Sequence, residues 1–317
     1  MTMKLINNLM TQENELYAVD WLKVVVEVNH NRDSINDGLI AYCAKEDYDN
    51  PILSYKPMFF ASYETSLKVK SLSDNKLTIE NNFFKWLNGQ NILGKTNINE
   101  LVHDVVVKLA QHSDINPTEE QLNAIKLGNF KIQQIDINKA ILFDNKQQAA
   151  NYLERIKLNG SYPKRKRYIK NNTVYFGIAS ERKVIKFYHK GTEVEANKQY
   201  QPAITSELKA IADKMVRFEI KYKPIELNEM DLQYGNNWND ETILRLVDRE
   251  LERLNLPMPI SKDDLPKRYL KFISCYKSGS LIDCYTISTI RKMKRELAKL
   301  YGIHCKHPTN PYCIFQT

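Results

Sequence analysis

The 317-residue chain has no run approaching the roughly 18 uninterrupted apolar residues of a membrane-spanning helix, which excludes an integral helical membrane protein. Its opening residues, MTMKLINNLMTQENE, lack the apolar core of a secretory signal, so the expected location is the cytoplasm. Paired cysteines are also missing. The five that occur, Cys43, Cys275, Cys284, Cys305 and Cys313, are odd in number and share no short spacing, which argues against a disulfide framework and for reduced, mostly buried thiols. No internal repeat or low-complexity tract appears, so solenoids and disordered chains are set aside. An apolar content of 43% is enough to build a packed core.

What the chain has in excess is positive charge. A formal net charge of +8 and a sequence pI near 9.0 point to a polyanionic partner, although charge alone does not separate nucleic acid from an acidic membrane. β-Branched and aromatic runs of strand length occur at residues 19–28, 76–80, 130–143, 172–179, 183–188 and 217–223. Helical periodicity lies between them. Ile98, Leu101, Val102, Val105 and Leu109 share one face behind an Asn97/Glu100 capping pair, and a helix starts at Thr118 and stops at Gly128. Ala149, Leu153 and Ile156 line a stripe after a possible Asp144 cap, and Leu208, Ile211 and Met215 repeat the pattern. After Pro224 the strand pattern ceases. The expectation is an α+β fold, an antiparallel sheet flanked by helices over residues 1–225, followed by a helical domain over 226–317.

The stretch TVYFGIASERKVIKFYHKGTEVEANKQ, Thr173 to Gln199, reads as a hairpin running into a polar helix. Period-two alternation puts Ile185 and Phe187 on one face of its second strand, and Val184, Lys186 and Tyr188 on the other. A phenol is a poor nucleophile until a cation or metal stabilises its phenolate, and Lys190 stands two positions on. Two further strands carry polar faces. Gln134, Asp136 and Asn138 align in one, and Arg217, Glu219 and Lys221 in the other. Two carboxylates with oxygen-donor neighbours suit a hard divalent cation such as Mg²⁺ or Mn²⁺. The same residues equally suit a solvated face bearing cross-strand ion pairs.

Basic residues cluster twice. The loop YPKRKRYIK places Lys164, Arg165, Lys166, Arg167 and Lys170 between tyrosines, a composition suited to phosphate contacts with base stacking, or to an exposed solubilising hairpin. Arg291, Lys292, Lys294, Arg295 and Lys299 lie on a late helix that follows a helix and a KSGS turn, compatible with a helix-turn-helix reader of duplex DNA or with a charged outer face. GQNILGKT, Gly89 to Thr96, satisfies the P-loop pattern and raises a nucleotide-driven ATPase as a rival function. Bulky Ile92 and Leu93 and the poor strand FFKWLN before it argue against that. His304, Cys305, His307 and Cys313 group near the end with spacings that fit no familiar zinc site.

The run from Thr173 to Glu193 resembles the tyrosine segment of the filamentous-phage gene II/X replication initiators, members of the HUH-type rolling-circle endonucleases. NGQNILGKT is similar to their Gly-containing loop, QQID to their metal strand, VRFEIK to their Arg-x-Glu strand, and KRYLKFISCYKSG with TISTIRKMKRELAKLYGI to their C-terminal helices. The resemblance covers about residues 19–303 through short scattered motifs. It implies an enzyme that nicks and rejoins single-stranded origin DNA in a bacterial host, for a phage or plasmid. Tyr188 would be the nucleophile of a 5′-phosphotyrosine intermediate, and Lys190 its positioning or neutralising partner. Asp136 and Glu219, with Gln134 third, would hold Mg²⁺ or Mn²⁺, and Arg217 would join the DNA-binding set with the two basic clusters. Host polymerase would extend the freed 3′-hydroxyl, and no membrane is involved. The chain departs from its relatives in two ways. No His-hydrophobic-His triplet occurs, since Gln134-Ile135-Asp136 takes that place, and the Tyr-x-Lys spacing is shorter than in many plasmid relatives. A non-enzymatic DNA-binding or copy-control protein would share the charge and the helices without needing Tyr188.

Overall fold

The computed structural model describes residues 17–44, 47–111, 114–196, 203–256 and 265–301. Among these, ten strands form one sheet: β1 (Tyr17–Glu27), β2 (Asn36–Ala44), β3 (Asp47–Ser62), β4 (Thr65–Ser73), β5 (Lys76–Asn81), β6 (Lys131–Leu142), β7 (Arg167–Lys170), β8 (Thr173–Phe176), β9 (Lys183–His189) and β10 (Met215–Tyr222). Their order is β2-β3-β4-β5-β1-β6-β10-β9-β8-β7, and every pairing is antiparallel. The α+β architecture with an antiparallel sheet is therefore present.

Alternation decides the two faces. Leu22 pairs with Ile135, Ile137 with Ile220, Ile220 with Ile185 and Phe218 with Phe187, so these residues share one side, where all are buried. Phe187 stacks on Phe218 at 4.8 Å and meets Phe176 edge to face at 6.3 Å. Two irregularities interrupt β1 and β6. Val19 pairs with Ile137 and Trp21 with Asp136, which leaves Asp20 as an extra residue on β1; Lys23 pairs with Gln134 and Val24 with Ile132, which leaves Gln133 extra on β6. The second bulge is why Ile132 and Ile135 are both buried despite their odd spacing.

The helices of this unit are α1 (Phe83–Asn88), α2 (Ile98–Ala110), α3 (Glu119–Lys126), α4 (Lys146–Asn159), α5 (Lys190–Ala196), α6 (Ser206–Asp213), α7 (Pro224–Glu229) and α8 (Asp240–Glu252), with α4 continuing beyond it. Asn97 caps α2 by accepting from the Glu100 amide, and Thr118 with Gln121 closes a capping box on α3. At α4 it is Asn145, not Asp144, whose side chain accepts from the first turn, at the Gln148 amide.

The strand segments over residues 36–73 were not expected from the sequence. Gly38, Pro51 and Pro57 break the first two of them, and β4 fills its outward positions with Lys and Ser, so only Leu67 and Val69 mark its apolar side. The chain divides into two compact units, residues 1–150 with 167–252, and residues 151–166 with 253–317. The sheet unit thus runs past the boundary expected near residue 225. The reason is α8, which buries Ile243, Leu246 and Val247 and joins β9 through Glu250 and Lys183 at 2.8 Å. The other unit has its own core of Leu265, Tyr269, Phe272, Ile273, Tyr276, Met293 and Leu297, built on α9 (Lys267–Lys277), α10 (Leu281–Cys284) and α11 (Ile287–Tyr301).

Candidate active site

The polar side of β6, β10 and β9 carries a dense set of charges. Register places Lys221 opposite Asp136, Glu219 opposite both Asn138 and Lys186, and Arg217 opposite Tyr188. The Tyr188 hydroxyl donates to Glu219 Oε2 at 3.1 Å. Lys186 is ion-paired to Glu219 Oε1 and lies 3.7 Å from Asp136 Oδ2, while Lys221 lies 3.6 Å from the same oxygen and 5.1 Å from the Trp21 ring. The carboxylate pair and the cross-strand ion pairs, alternatives in the sequence, are both present in one cluster.

Burial makes the cluster tense. Asp136 is 2% exposed and Glu219 0%. Burial, followed by the neighbouring Glu219 charge, pushes the Asp136 carboxyl well above the usual range. For Lys186 burial works against the ammonium, but Glu219 and Asp136 outweigh it and raise its pKa. Burial and Glu219 raise the Tyr188 phenol well above its ordinary value, with Arg217 opposing, so the neutral phenol is the resting form.

A second layer holds Arg217 in place. Its guanidinium donates to the backbone carbonyls of Asn91 and Ile92, both at 2.6 Å, and lies 3.7 Å from Asp20. Asp20 is the bulged residue of β1, and its Oδ1 also accepts from Asn82 at 2.9 Å and Asn91 at 3.2 Å. Burial works against this carboxylate, yet Arg217, Lys190 and Lys186 together hold its pKa below the ordinary value. Sequence reasoning missed Asp20, Asn91 and Asn82. A β-bulge shifts the phase of alternation without a change of residue type, so the one sequence signal for Asp20 was an acidic residue set among Tyr17, Ala18, Val19, Trp21 and Leu22.

The other expected site residues take the following positions. Lys190 opens α5, is fully buried, and donates to Asn91 Oδ1 at 2.9 Å and Glu193 Oε2 at 2.6 Å; the cation opposite Tyr188 is Arg217. Burial and the Arg217 charge push the Lys190 pKa down to about 8. Arg217, expected in the DNA-binding set, is 2% exposed. Gln134 shares the sheet face with Asp136 but pairs with Lys23, away from Tyr188. His189 has both ring nitrogens engaged: Nδ1 with Thr192 and Nε2 with the Asp213 carbonyl at 2.8 Å.

The P-loop reading fails on the same geometry. α1, not a strand, precedes Gly89–Thr96, and the loop turns carbonyls toward Arg217 while its Ile92 and Leu93 amides are taken by Gln90 Oε1. Gly94 serves packing, since a Cβ there would lie 2.4 Å from that of Ala18. Lys95 is exposed and pairs with Glu100 at 3.2 Å.

The basic loop is shared between the units. Lys164 and Lys166 are exposed and Arg165 half-buried in the helical one; Arg167 is half-buried and Lys170 exposed on β7. Arg291, Lys292 and Arg295 are exposed on α11, whereas Lys294 is half-buried with its ammonium 5.5 Å from the Tyr276 ring. The side chain of Lys299 and residues His304, Cys305, His307 and Cys313 lie outside the described part of the chain.

The donor set suits a hard cation. Asp136 Oδ1 is buried with no hydrogen-bond partner beside a second carboxylate. Lys186 and Lys221 supply the compensating charge. Among the described residues no group of three or more His, Cys, Asp or Glu converges, so the acidic donors number two. Nor, among those residues, is any helix long and apolar enough to cross a membrane.

Known proteins resemble this chain in sequence. The family model for the N-terminal part of the phage gene II replication-associated protein matches residues 18–241. The replication-associated protein of Enterobacteria phage I2-2 in that family is 22% identical over 258 residues, 76% of this chain and 75% of that protein. A solved rolling circle replication initiator protein from Geobacillus stearothermophilus overlaps 80% of this chain and 90% of its own, at 13% identity and a TM-score of 0.34.

Proposed function

We propose that this chain, which belongs to the family of phage gene II replication-associated proteins, initiates rolling-circle replication by nicking and rejoining single-stranded origin DNA through Tyr188. The observation that carries this reading is the Tyr188 hydroxyl donating to Glu219 Oε2 at 3.1 Å with Arg217 opposite on the neighbouring strand. In the forward step the phenolic oxygen attacks the scissile phosphorus as its proton passes to Glu219. A phosphorus–oxygen bond forms to Tyr188, the bond to the 3′-oxygen breaks, and that oxygen takes up a proton to become a free 3′-hydroxyl. Arg217 stabilises the negative charge that builds on the phenolic oxygen. Rejoining is the reverse transfer, in which a 3′-hydroxyl displaces Tyr188 from phosphorus.

Asp136 and Glu219 are the residues that would hold a divalent cation, Mg²⁺ or Mn²⁺, with Gln134 or Asn138 able to add an amide oxygen. When bound it supplies Lewis acidity to the phosphodiester and the leaving oxygen. Lys170 on the sheet unit, and Lys164, Lys166, Arg291, Lys292 and Arg295 on the helical unit, supply phosphate contacts to DNA, with Arg291, Lys292 and Arg295 on α11 as an accessory reader of the origin. The freed 3′-hydroxyl is the substrate of the host polymerase.

The test is incubation with single-stranded origin DNA and Mn²⁺, followed by denaturing electrophoresis. A protein–DNA adduct that survives denaturation and disappears in Tyr188→Phe is expected. DNA binding without any adduct would make the chain a non-enzymatic binder and overturn the reading.

A further inference from the structure

One row of cross-strand partners leads from the carboxylates to the edge of the sheet. Asn138 stands opposite Glu219, Glu219 opposite Lys186, Lys186 opposite Tyr175, and Tyr175 opposite Tyr168. Directly opposed residues lie on the same face, and neighbouring strands are about 4.8 Å apart. Tyr175 is therefore two strands from Glu219, and Tyr168 three. Packing does not explain either ring. Val174 and Phe176, which alternate with Tyr175, point to the core and are fully buried, whereas Tyr175 is half-buried and Tyr168 is 48% exposed on the last strand of the sheet. Lys170, on the same side of β7 as Tyr168, is exposed, and Lys186 keeps 24% of its side chain open beside Tyr175.

We infer that Tyr168 and Tyr175 form a stacking track for unpaired bases of the substrate strand, which leads that strand's backbone past Lys170 and Lys186 to the attacking oxygen. This rests on the reading that Tyr188 attacks single-stranded DNA. The chemistry is matched on both counts: flat rings take base faces without regard to sequence, and ammonium groups alongside take phosphates. A duplex hides the base faces in its own stack and gains only the phosphate contacts. The track thus separates single-stranded from duplex substrate at the sheet edge, ahead of the chemical step.

The test uses the full chain in the Tyr188→Phe background, so that no covalent product forms, with fluorescein-labelled oligothymidylate as the probe. Tyr168→Ala and Tyr175→Ala should each weaken binding between about fivefold and about a hundredfold. Tyr168→Phe and Tyr175→Phe, which keep the ring, should stay within about twofold of the parent. Duplex binding should be unaffected by all four changes, and the salt dependence of single-strand binding should keep its slope, because no phosphate contact is removed. Unchanged thermal unfolding of the alanine variants ties any loss to the surface. Alanine variants that bind oligothymidylate as the parent does would overturn the proposal. So would phenylalanine variants as weak as alanine, or equal losses on duplex. The nucleophile reading fails separately, if Tyr188→Phe still forms an adduct on origin DNA, and that result leaves the binding comparison standing.

Discussion

Arg217 and Tyr188 face each other across the β9–β10 ladder, so the cation opposite the phenol comes from the neighbouring strand rather than from two residues along the chain. That arginine is held by the Asn91 and Ile92 carbonyls and by Asp20. Arg217→Lys keeps the charge but loses the planar fork that meets two carbonyls at once. Adduct formation should fall at least tenfold, and urea unfolding should show a loss of about 2–4 kcal/mol. In Arg217→Gln the Asp20 carboxylate is left buried without its main partner, so adding Asp20→Asn should recover part of the lost stability. Additive losses in the double variant would show that the two residues act separately.

Tyr188→Phe removes one hydroxyl and its 3.1 Å hydrogen bond to Glu219. Stability should change by about 1 kcal/mol or less, and oligothymidylate binding should hold, while the covalent adduct is lost. An adduct persisting in this variant would move the nucleophile to another tyrosine, with Tyr175 the first to examine.

Lys95→Ala separates the site from its P-loop look-alike. The lysine is exposed and its pair with Glu100 is a surface one, so stability should change by about 1 kcal/mol at most and nicking should continue at nearly the normal rate. ATP dependence, or loss of activity in this variant, would restore the nucleotide-driven alternative.

Much of the fold was legible because β1, β6, β9 and β10 are rich in β-branched or aromatic residues, and in β9 and β10 alternation with polar ones also assigned the two faces. Strands β2 to β4 were not, since prolines, a glycine and outward Lys and Ser dilute the pattern. At the site the sequence placed Asp136, Glu219 and Tyr188 on polar faces, but their meeting depends on strand order and register, which are non-local. Lys190 misled by adjacency. It begins a helix, which turns its side chain toward Asn91 and Glu193, whereas the burial of Arg217 follows from the strand order and from the 91–92 loop, neither of which is local in sequence.

The buried Lys190 gives stability a pH dependence of definite sign. Its pKa in the fold is about 8, below the 10.5 of an exposed lysine, because burial and Arg217 disfavour the ammonium. Between those values the unfolded chain holds a proton that the folded chain has released, so the lysine's contribution to stability becomes more favourable as pH rises through that window. The difference in unfolding free energy between the wild-type protein and Lys190→Met should shift toward the wild type by about 3 kcal/mol from neutral pH to above 10. Urea unfolding at stepped pH measures it. Parallel curves for the two proteins would mean that Lys190 titrates as an exposed side chain does.

The carboxylate pair divides folding from function. Asp136 is costly to ionise where it sits, because it is buried beside Glu219, so Asp136→Asn relieves a repulsion as it weakens the pairing with Lys186 and Lys221. Its stability should lie within about 1 kcal/mol of the wild type. Glu219→Gln takes away the closest partner of Lys186, leaving Asp136 at 3.7 Å to compensate, and should cost about 1–3 kcal/mol. Both amides keep the shape of the site and remove one negative charge from the cation-holding pair, so nicking should fall in limiting Mg²⁺; Asp136→Asn should recover in part as Mn²⁺ is raised, and Glu219→Gln less, because it has also lost the group that takes the Tyr188 proton. Tyr188→Phe should not recover at any concentration, since added cation cannot replace a missing nucleophile. The decisive comparison is the rate in limiting Mg²⁺. If both amide variants nick there as fast as the wild type, Asp136 and Glu219 hold no cation, and their role reduces to the ion pairs with Lys186 and Lys221.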